Sequence, residues 1–156
     1  MTIRVTTAAI IEADGKFLIV EEIDPIKGRV YNQPAGHVEK HESILEAVVR
    51  EVQEETGYIF QPESLVGIYH LHANDHDATY LRFCFSGSIV SQSSESNLDP
   101  DILAVHWFSH EQIRHCRAQH RSSLVLTAID DYLQGKRYPL AMLNYIGKEP
   151  QWRYDL

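Results

Sequence analysis

The sequence predicts an α/β fold, a mixed sheet with helices on both of its faces. Three features carry that expectation. Two apolar, β-branched segments joined by Asp14-Gly15 open the chain, and one strongly amphipathic helix lies between Ser43 and Gly57. Further strands follow that helix, and two more helical segments come near the end. Strands on both sides of a central helix, with helices again at the end, place helical layers over the two faces of one sheet.

Taken in order, residues 3–11 (IRVTTAAII) read as a strand, and Asp14-Gly15 is a hairpin turn signal before a second strand at 16–23. Asp24-Pro25 and Gly28 mark a loop, residues 29–32 are short and extended, and Pro34 forbids a helix there. Ala35 and Gly36 are small enough for backbone to approach a ligand closely. Residues 65–71 read as a strand and 73–77 (ANDHD) as a turn. In 80–85, Leu81, Phe83 and Phe85 alternate with Arg82 and Cys84, so the two sets face opposite sides of a strand. A polar loop at 91–100 precedes a strand at 102–108. Ser109 with Gln112 opens a short helix reaching about Arg117, and Ser122 or Ser123 caps a last helix at 124–133, stopped by Gly135. The tail from 137 holds aromatics without a clear period. No repeat is visible and the polar loop is too short for a linker, so residues 1–156 are expected to form one domain.

The central helix carries the chemistry. Ser43 and Glu46 stand in the spacing of a capping box, and Gly57 sits where a helix stop wants positive φ. Ile44, Leu45, Val48, Val49 and Val52 form one apolar face. At about 100° per residue, Glu51, Glu54 and Glu55 fall within roughly a quarter turn beside that face. The placement is unfavourable by itself: like charges three and four apart repel, and carboxylates in the last turn meet the negative end of the helix dipole. A solvated acidic face is one reading. The other is a hard divalent cation such as Mg²⁺, which takes oxygen ligands, keeps some water and would offset both costs.

Composition narrows the partners. The formal net charge is −8, which lacks the basic footprint of a nucleic-acid tracker, so a phosphate-bearing substrate is expected to be small and metal-chelated. The two cysteines, Cys84 and Cys116, make no disulfide framework, and Cys84 reads as packing. No apolar run approaches membrane-span length and the N-terminus shows no signal pattern, so the expectation is a cytoplasmic protein without a membrane partner, monomeric or a small homo-oligomer.

The stretch Gly36–Tyr58 resembles the Nudix box, G-x5-E-x7-R-E-U-x-E-E-x-G-U, where U is a bulky aliphatic residue. Gly36, Glu42, Arg50, Glu51, Val52, Glu54, Glu55 and Gly57 match, and Tyr58 departs only at the final aliphatic position. The resemblance implies an α/β/α sandwich and hydrolysis of a phosphoanhydride with Mg²⁺, Mn²⁺ being a possible substitute. It implies Glu51 and Glu55 as metal ligands, with Glu54 holding a second ion or activating water. It also carries over the carbonyl of Ala35 as a metal ligand, and points to an extra acid from the region of Asp99 and Asp101. Arg50 is expected to orient Glu51 by a charge-assisted hydrogen bond, and Glu42 to fix the loop. Outside the box, NQPAGHVE at 32–39, LRF at 81–83, RS-x-LV at 121–125 and RYPL at 137–140 are similar to the NudJ group of bacterial phosphatases. That similarity implies nucleoside tri- and diphosphates and hydroxymethylpyrimidine diphosphate as substrates. The alternatives are a pyrophosphatase for oxidised nucleotides or nucleotide sugars, and a Nudix-fold sensor without turnover.

Four further residues are candidates for the substrate pocket: Tyr31, Arg82, Arg121 and Ser122. Arg82 reads equally as a phosphate or base contact and as half of a structural ion pair. Arg121-Ser122 precedes the last helix, where free amides and the dipole favour an anion, although an ordinary N-cap has the same sequence. His70 and His72 share one face of a strand; without a Cys or third His at matching spacing, a solvated or substrate-lining pair is favoured over a transition-metal site.

Overall fold

The computed structural model describes residues 2–74, 77–94 and 98–147. Asp75 and His76 of the expected turn, residues 95–97 of the polar loop and the tail from 148 lie outside the described residues. The elements are β1 (Thr2–Ala13), β2 (Lys16–Asp24), β3 (Gly28–Asn32), β4 (Ala35–His37), α1 (Ile44–Thr56), β5 (Tyr58–Ala73), β6 (Ala78–Gln92), β7 (Ile102–Ser109), α2 (His110–His115) and α3 (Leu124–Leu133).

β1 organises the sheet. The central path runs β3-β2-β1-β6-β5, with β4 paired to β1 and β7 to β2. β1 runs parallel to β6 from Thr2↔Ala78 to Ile11↔Gly87, and its end turns back into β2 through Asp14 (φ 52) and Gly15 (φ 76). Because side chains alternate along a strand, β1 feeds two cores. Ala8 and Ile10 join Phe17, Ile19 and Cys84 beneath Ile113 of α2 and Ala128 and Ile129 of α3. Ala9 and Ile11 join Leu18 and Phe85 beneath Val48 and Val52 of α1. The helices therefore cover both faces, as the pattern predicts. No helix of the described residues is long and apolar enough to cross a membrane.

Some elements differ from expectation. β5 and β6 extend far beyond 65–71 and 80–85, because three register shifts, at Ile59/Phe60, Pro62/Ser64 and Leu65/Gly67, break the two-residue alternation that marks a strand in sequence. Pro62 sits at one shift, opposite Gly87, where an added Cβ would lie 2.0 Å from the Gln61 carbonyl. The capping box at Ser43 is half formed: Ser43 Oγ accepts from Glu46 N–H at 3.0 Å, without the return bond from Glu46 among the described residues. The full box forms instead at Ser109 and Gln112. α2 ends at His115, short of Arg117, and a 3₁₀ turn continues over Arg117–Gln119. At α3 the N-cap is Ser123, which makes no side-chain cap bond, while Ser122 Oγ accepts from Leu124 N–H at 3.2 Å.

Candidate active site

The site forms where the short strand β4 meets the second half of α1. Ala9 N–H donates to the Pro34 carbonyl and Val38 N–H to the Val5 carbonyl, both at 3.0 Å, with Thr7 opposite Gly36. Pro34, Gly36 and Val38 thus turn their backbone groups toward β1. Ala35 lies between them and turns its N–H and C=O the other way. That N–H donates to Glu55 Oε1 at 2.8 Å. The Ala35 carbonyl emerges on the same edge, next to the Glu55 carboxylate.

Gly36 explains how Glu51 fits. A Cβ at position 36 would sit 2.1 Å from the Glu51 carboxyl carbon, so only glycine lets that carboxylate rest against the strand. The requirement is steric, a cradle filled by the glutamate. Glu51 and Glu55 are buried while Glu54, one step round the helix, is half exposed.

Arg50 holds the acids in place. Its Nε and Nη2 grip the two oxygens of Glu42 at 3.0 and 2.8 Å, its Nη1 donates to Glu51 Oε1 at 2.8 Å and Glu54 Oε2 at 3.1 Å, and Nη2 also donates to the His37 carbonyl at 2.9 Å. Glu42 in turn accepts from Glu39 N–H at 2.7 Å, which closes the loop ahead of α1. The hydrogen bonds to Glu42 come first in raising the Arg50 pKa, and the same bonds hold the Glu42 carboxyl below its ordinary value.

Electrostatically the site stores like charge. Burial, against the opposing bonds from Arg50, pushes Glu51 up to about 7, with Glu54 and Asp99 adding to the rise. Burial and then Glu22 push Glu55 well above the ordinary carboxylate range. Asp99 is held by its own N–H, which donates to the Glu54 carbonyl at the end of α1 at 2.8 Å. Among the charges that raise Glu51 and Glu55 is that of Asp99, one of the two acids expected from this region. No cluster of three or more His, Cys, Asp or Glu side chains among the described residues is gathered at metal-binding geometry. The donors around Gly36 are nevertheless all oxygen, carboxylates plus one strand-edge carbonyl, and that set suits a hard divalent cation.

The substrate candidates fall in different places. Arg82 is buried on β6 on the side of Cys84, with no carboxylate within salt-bridge distance among the described residues; its Nη1 lies 3.5 Å from Asn32 Oδ1, and its Nε has no partner. Burial lowers its pKa, Arg121 adds to the fall, and Cys84, Glu22 and Glu55 act against it, so Arg82 stands within the field of the carboxylate pocket. Arg121 donates to Glu22 Oε1 at 2.8 Å and lies 3.6 Å from Asp24 Oδ2, an ion pair that anchors it beside Arg82. The Ser122 hydroxyl is occupied at Leu124. The Tyr31 ring lies away from that group, edge-on to Phe108 and His106 at 5.5 and 5.9 Å. His70 and His72 stand exposed on β5.

Sequence reasoning missed Glu22, which is buried, accepts from Asn32 Nδ2 at 3.1 Å and raises Glu55. It also missed His37, whose carbonyl joins the Arg50 network and whose imidazole pKa is lowered by burial, then by Arg4, Arg121 and Arg82. Three acids within four residues at the end of β2, Glu21, Glu22 and Asp24, were the available signal for Glu22.

A sheet sandwiched by helices, with a glycine-cradled glutamate pair on a loop-helix, defines a Nudix-type hydrolase. The NUDIX domain matches residues 1–127, and the chain belongs to that family. It is 40% identical over 142 residues to "Phosphatase NudJ" of Escherichia coli strain K12, covering 90% of each chain. A solved NUDIX hydrolase from Nitrosomonas europaea is 51% identical, with a TM-score of 0.88, covering 91% of this chain and 96% of that one. A MutT NUDIX hydrolase from Burkholderia pseudomallei, 20% identical, shares the fold with a TM-score of 0.71 over 84% of this chain and 98% of its own.

Proposed function

We propose that this Nudix hydrolase uses Mg²⁺, with Mn²⁺ able to substitute, to cleave phosphoanhydride bonds of nucleoside tri- and diphosphates and of small diphosphates, hydroxymethylpyrimidine diphosphate among them. The observation that carries the reading is the Glu51–Glu55 pair, buried against β4 with its proton affinity raised by burial and by neighbouring acids. Such a pair costs stability unless a cation or protons compensate it. The likeness to NudJ phosphatases supports the substrate class.

In this reading Glu51, Glu54, Glu55 and the Ala35 carbonyl hold the ion. Bound there, it would neutralise phosphate charge and lower the pKa of a water. The chain supplies the rest. Arg50 fixes the carboxylates of Glu51 and Glu54 through one nitrogen, Nη1, and so sets where each can accept a proton. Glu54, half exposed, either holds a second ion or takes the proton of the attacking water. Arg82 and Arg121 face the substrate in this reading, while Ser122, whose hydroxyl is held at Leu124, and Tyr31, whose ring packs on Phe108 and His106, take no direct part.

The test is phosphate release from a panel of nucleoside diphosphates, nucleoside triphosphates, ADP-ribose, diadenosine polyphosphates and hydroxymethylpyrimidine diphosphate. Turnover is expected with Mg²⁺ or Mn²⁺ and should vanish with chelator. Full turnover in metal-free buffer would sink the mechanism. A hundredfold preference in kcat/KM for ADP-ribose or a dinucleoside polyphosphate would sink the substrate class.

A further inference from the structure

Arg82, unlike Arg50, holds no carboxylate among the described residues. Its side chain is buried, its residue only 8% exposed. Nε is enclosed without a hydrogen-bond partner, and Nη1 reaches Asn32 Oδ1 only at 3.5 Å. Nη2 makes no hydrogen bond among the described residues and is not among the enclosed polar atoms, so it is the open end of the fork. A buried guanidinium is kept when something pairs with it. The register shows what surrounds it. Thr6 of β1 pairs with Arg82 of β6 on one side and with His37 of β4 on the other, so the three side chains stand in a row on one sheet face. The Thr6 hydroxyl is also enclosed without a partner. Two residues along β1, Arg4 extends the row opposite Tyr80, exposed to solvent. Arg121 approaches from the segment before α3 and repels Arg82 through space. Three arginines and a histidine thus converge next to an acidic pocket, in a protein whose net charge is −8.

We infer that this row is a metal-independent phosphate receptor, in which the open fork of Arg82, flanked by Arg4, His37 and Arg121, binds the phosphoryl group of the substrate farther from the Glu51–Glu55 carboxylates. The inference rests on the phosphoanhydride reading above for what the anion is. A planar fork suits a phosphate oxygen pair, and the neighbouring Glu55 fixes the order of the two groups: the reacting phosphoryl on the acidic side, the other on the basic side. Selection for a compact diphosphate follows, since both ends of the phosphoanhydride are then held, whatever organic group it carries.

The test titrates inorganic pyrophosphate, and separately inorganic phosphate, into the full chain in excess chelator by calorimetry. Wild type should bind pyrophosphate without metal. Arg82→Met should weaken that binding about tenfold or more, and Arg82→Lys should restore part of it. Arg4→Met, at an exposed position that leaves the fold intact, should weaken it about threefold. Glu51→Gln should lose turnover yet bind pyrophosphate at least as well as wild type. Failure of wild type to bind pyrophosphate in chelator overturns the receptor, even where hydrolysis with Mg²⁺ is normal. Binding unchanged in both Arg82→Met and Arg4→Met overturns it as well. Binding that depends on Arg82 in a protein that hydrolyses nothing on the panel upholds the receptor and rejects the proposed activity instead.

Discussion

Arg50 and Arg82 both act on the Glu51–Glu55 pair, and their surroundings could hardly differ more. Arg50 spends every nitrogen of its fork on Glu42, Glu51, Glu54 and the His37 carbonyl. Arg82 is more deeply buried and has one contact at the limit of hydrogen bonding. A saturated arginine can position its partners but has nothing left for a substrate. An unsaturated buried one destabilises the free protein and is free to act on a ligand. The same residue type thus has two roles, told apart by a count of partners rather than by charge.

The largest expected effect breaks the acidic side. Glu51→Gln keeps an oxygen for Arg50 Nη1 but loses the charge that faces Gly36, and kcat should fall roughly 10²- to 10³-fold. Steady-state kinetics with saturating Mg²⁺ checks this, and a variant within a few-fold of wild type would remove Glu51 from the ligand set.

The next effect sharpens the comparison directly. Arg50→Ala leaves the buried Glu51 and the partly buried Glu42 without their cation and should cost about 3 kcal/mol of stability. Arg82→Met removes a charge that no partner compensates, so it should be neutral or stabilising by about 1 kcal/mol in the ligand-free protein. Urea unfolding of both variants reads the sign. If Arg82→Met is as damaging as Arg50→Ala, Arg82 is a structural counter-ion after all.

The contrast between the two arginines also marks how far the sequence could be read. Arg50 and the acids on its helix were legible because helical spacing alone sets which of them share a face. Gly57 and the Asp14-Gly15 turn were legible because a positive φ selects its residue. The side on which Arg82 stands followed from alternation with Phe83 and Phe85. Its lack of a partner did not, since that depends on Asn32 turning its amide toward Glu22, a contact between strands distant in sequence. The full extent of β5 and β6 stayed hidden behind the bulges at residues 59–67. The influence of Asp99 on Glu51 and Glu55 could not be foreseen, because the position of Asp99 rests on a backbone bond to Glu54, which carries no side-chain signature.

The smallest effect concerns the free protein and pH. The folded pKa of Glu51, about 7, lies above its ordinary value of 4.5. A group raised in this way contributes stability that is complete below the unfolded value and is lost as pH rises through the folded one. Glu55 is raised in the same direction. His37 and His120 are lowered, so the stability they contribute is present above their ordinary value of 6.5 and is lost as pH falls; across the same window they act against the glutamates. The informative quantity is therefore the difference between wild type and Glu51→Gln, in which the histidine contributions cancel. In chelator, Glu51→Gln should melt close to wild type at pH 5 and on the order of 5 °C higher at pH 8. Saturating Mg²⁺ should shrink or reverse that gap, because the ion compensates wild-type Glu51 and binds the variant less well. Scanning calorimetry at the two pH values decides it. A gap that is the same at both would mean that the Glu51 carboxyl titrates in its ordinary range, with Arg50 offsetting the whole effect of burial.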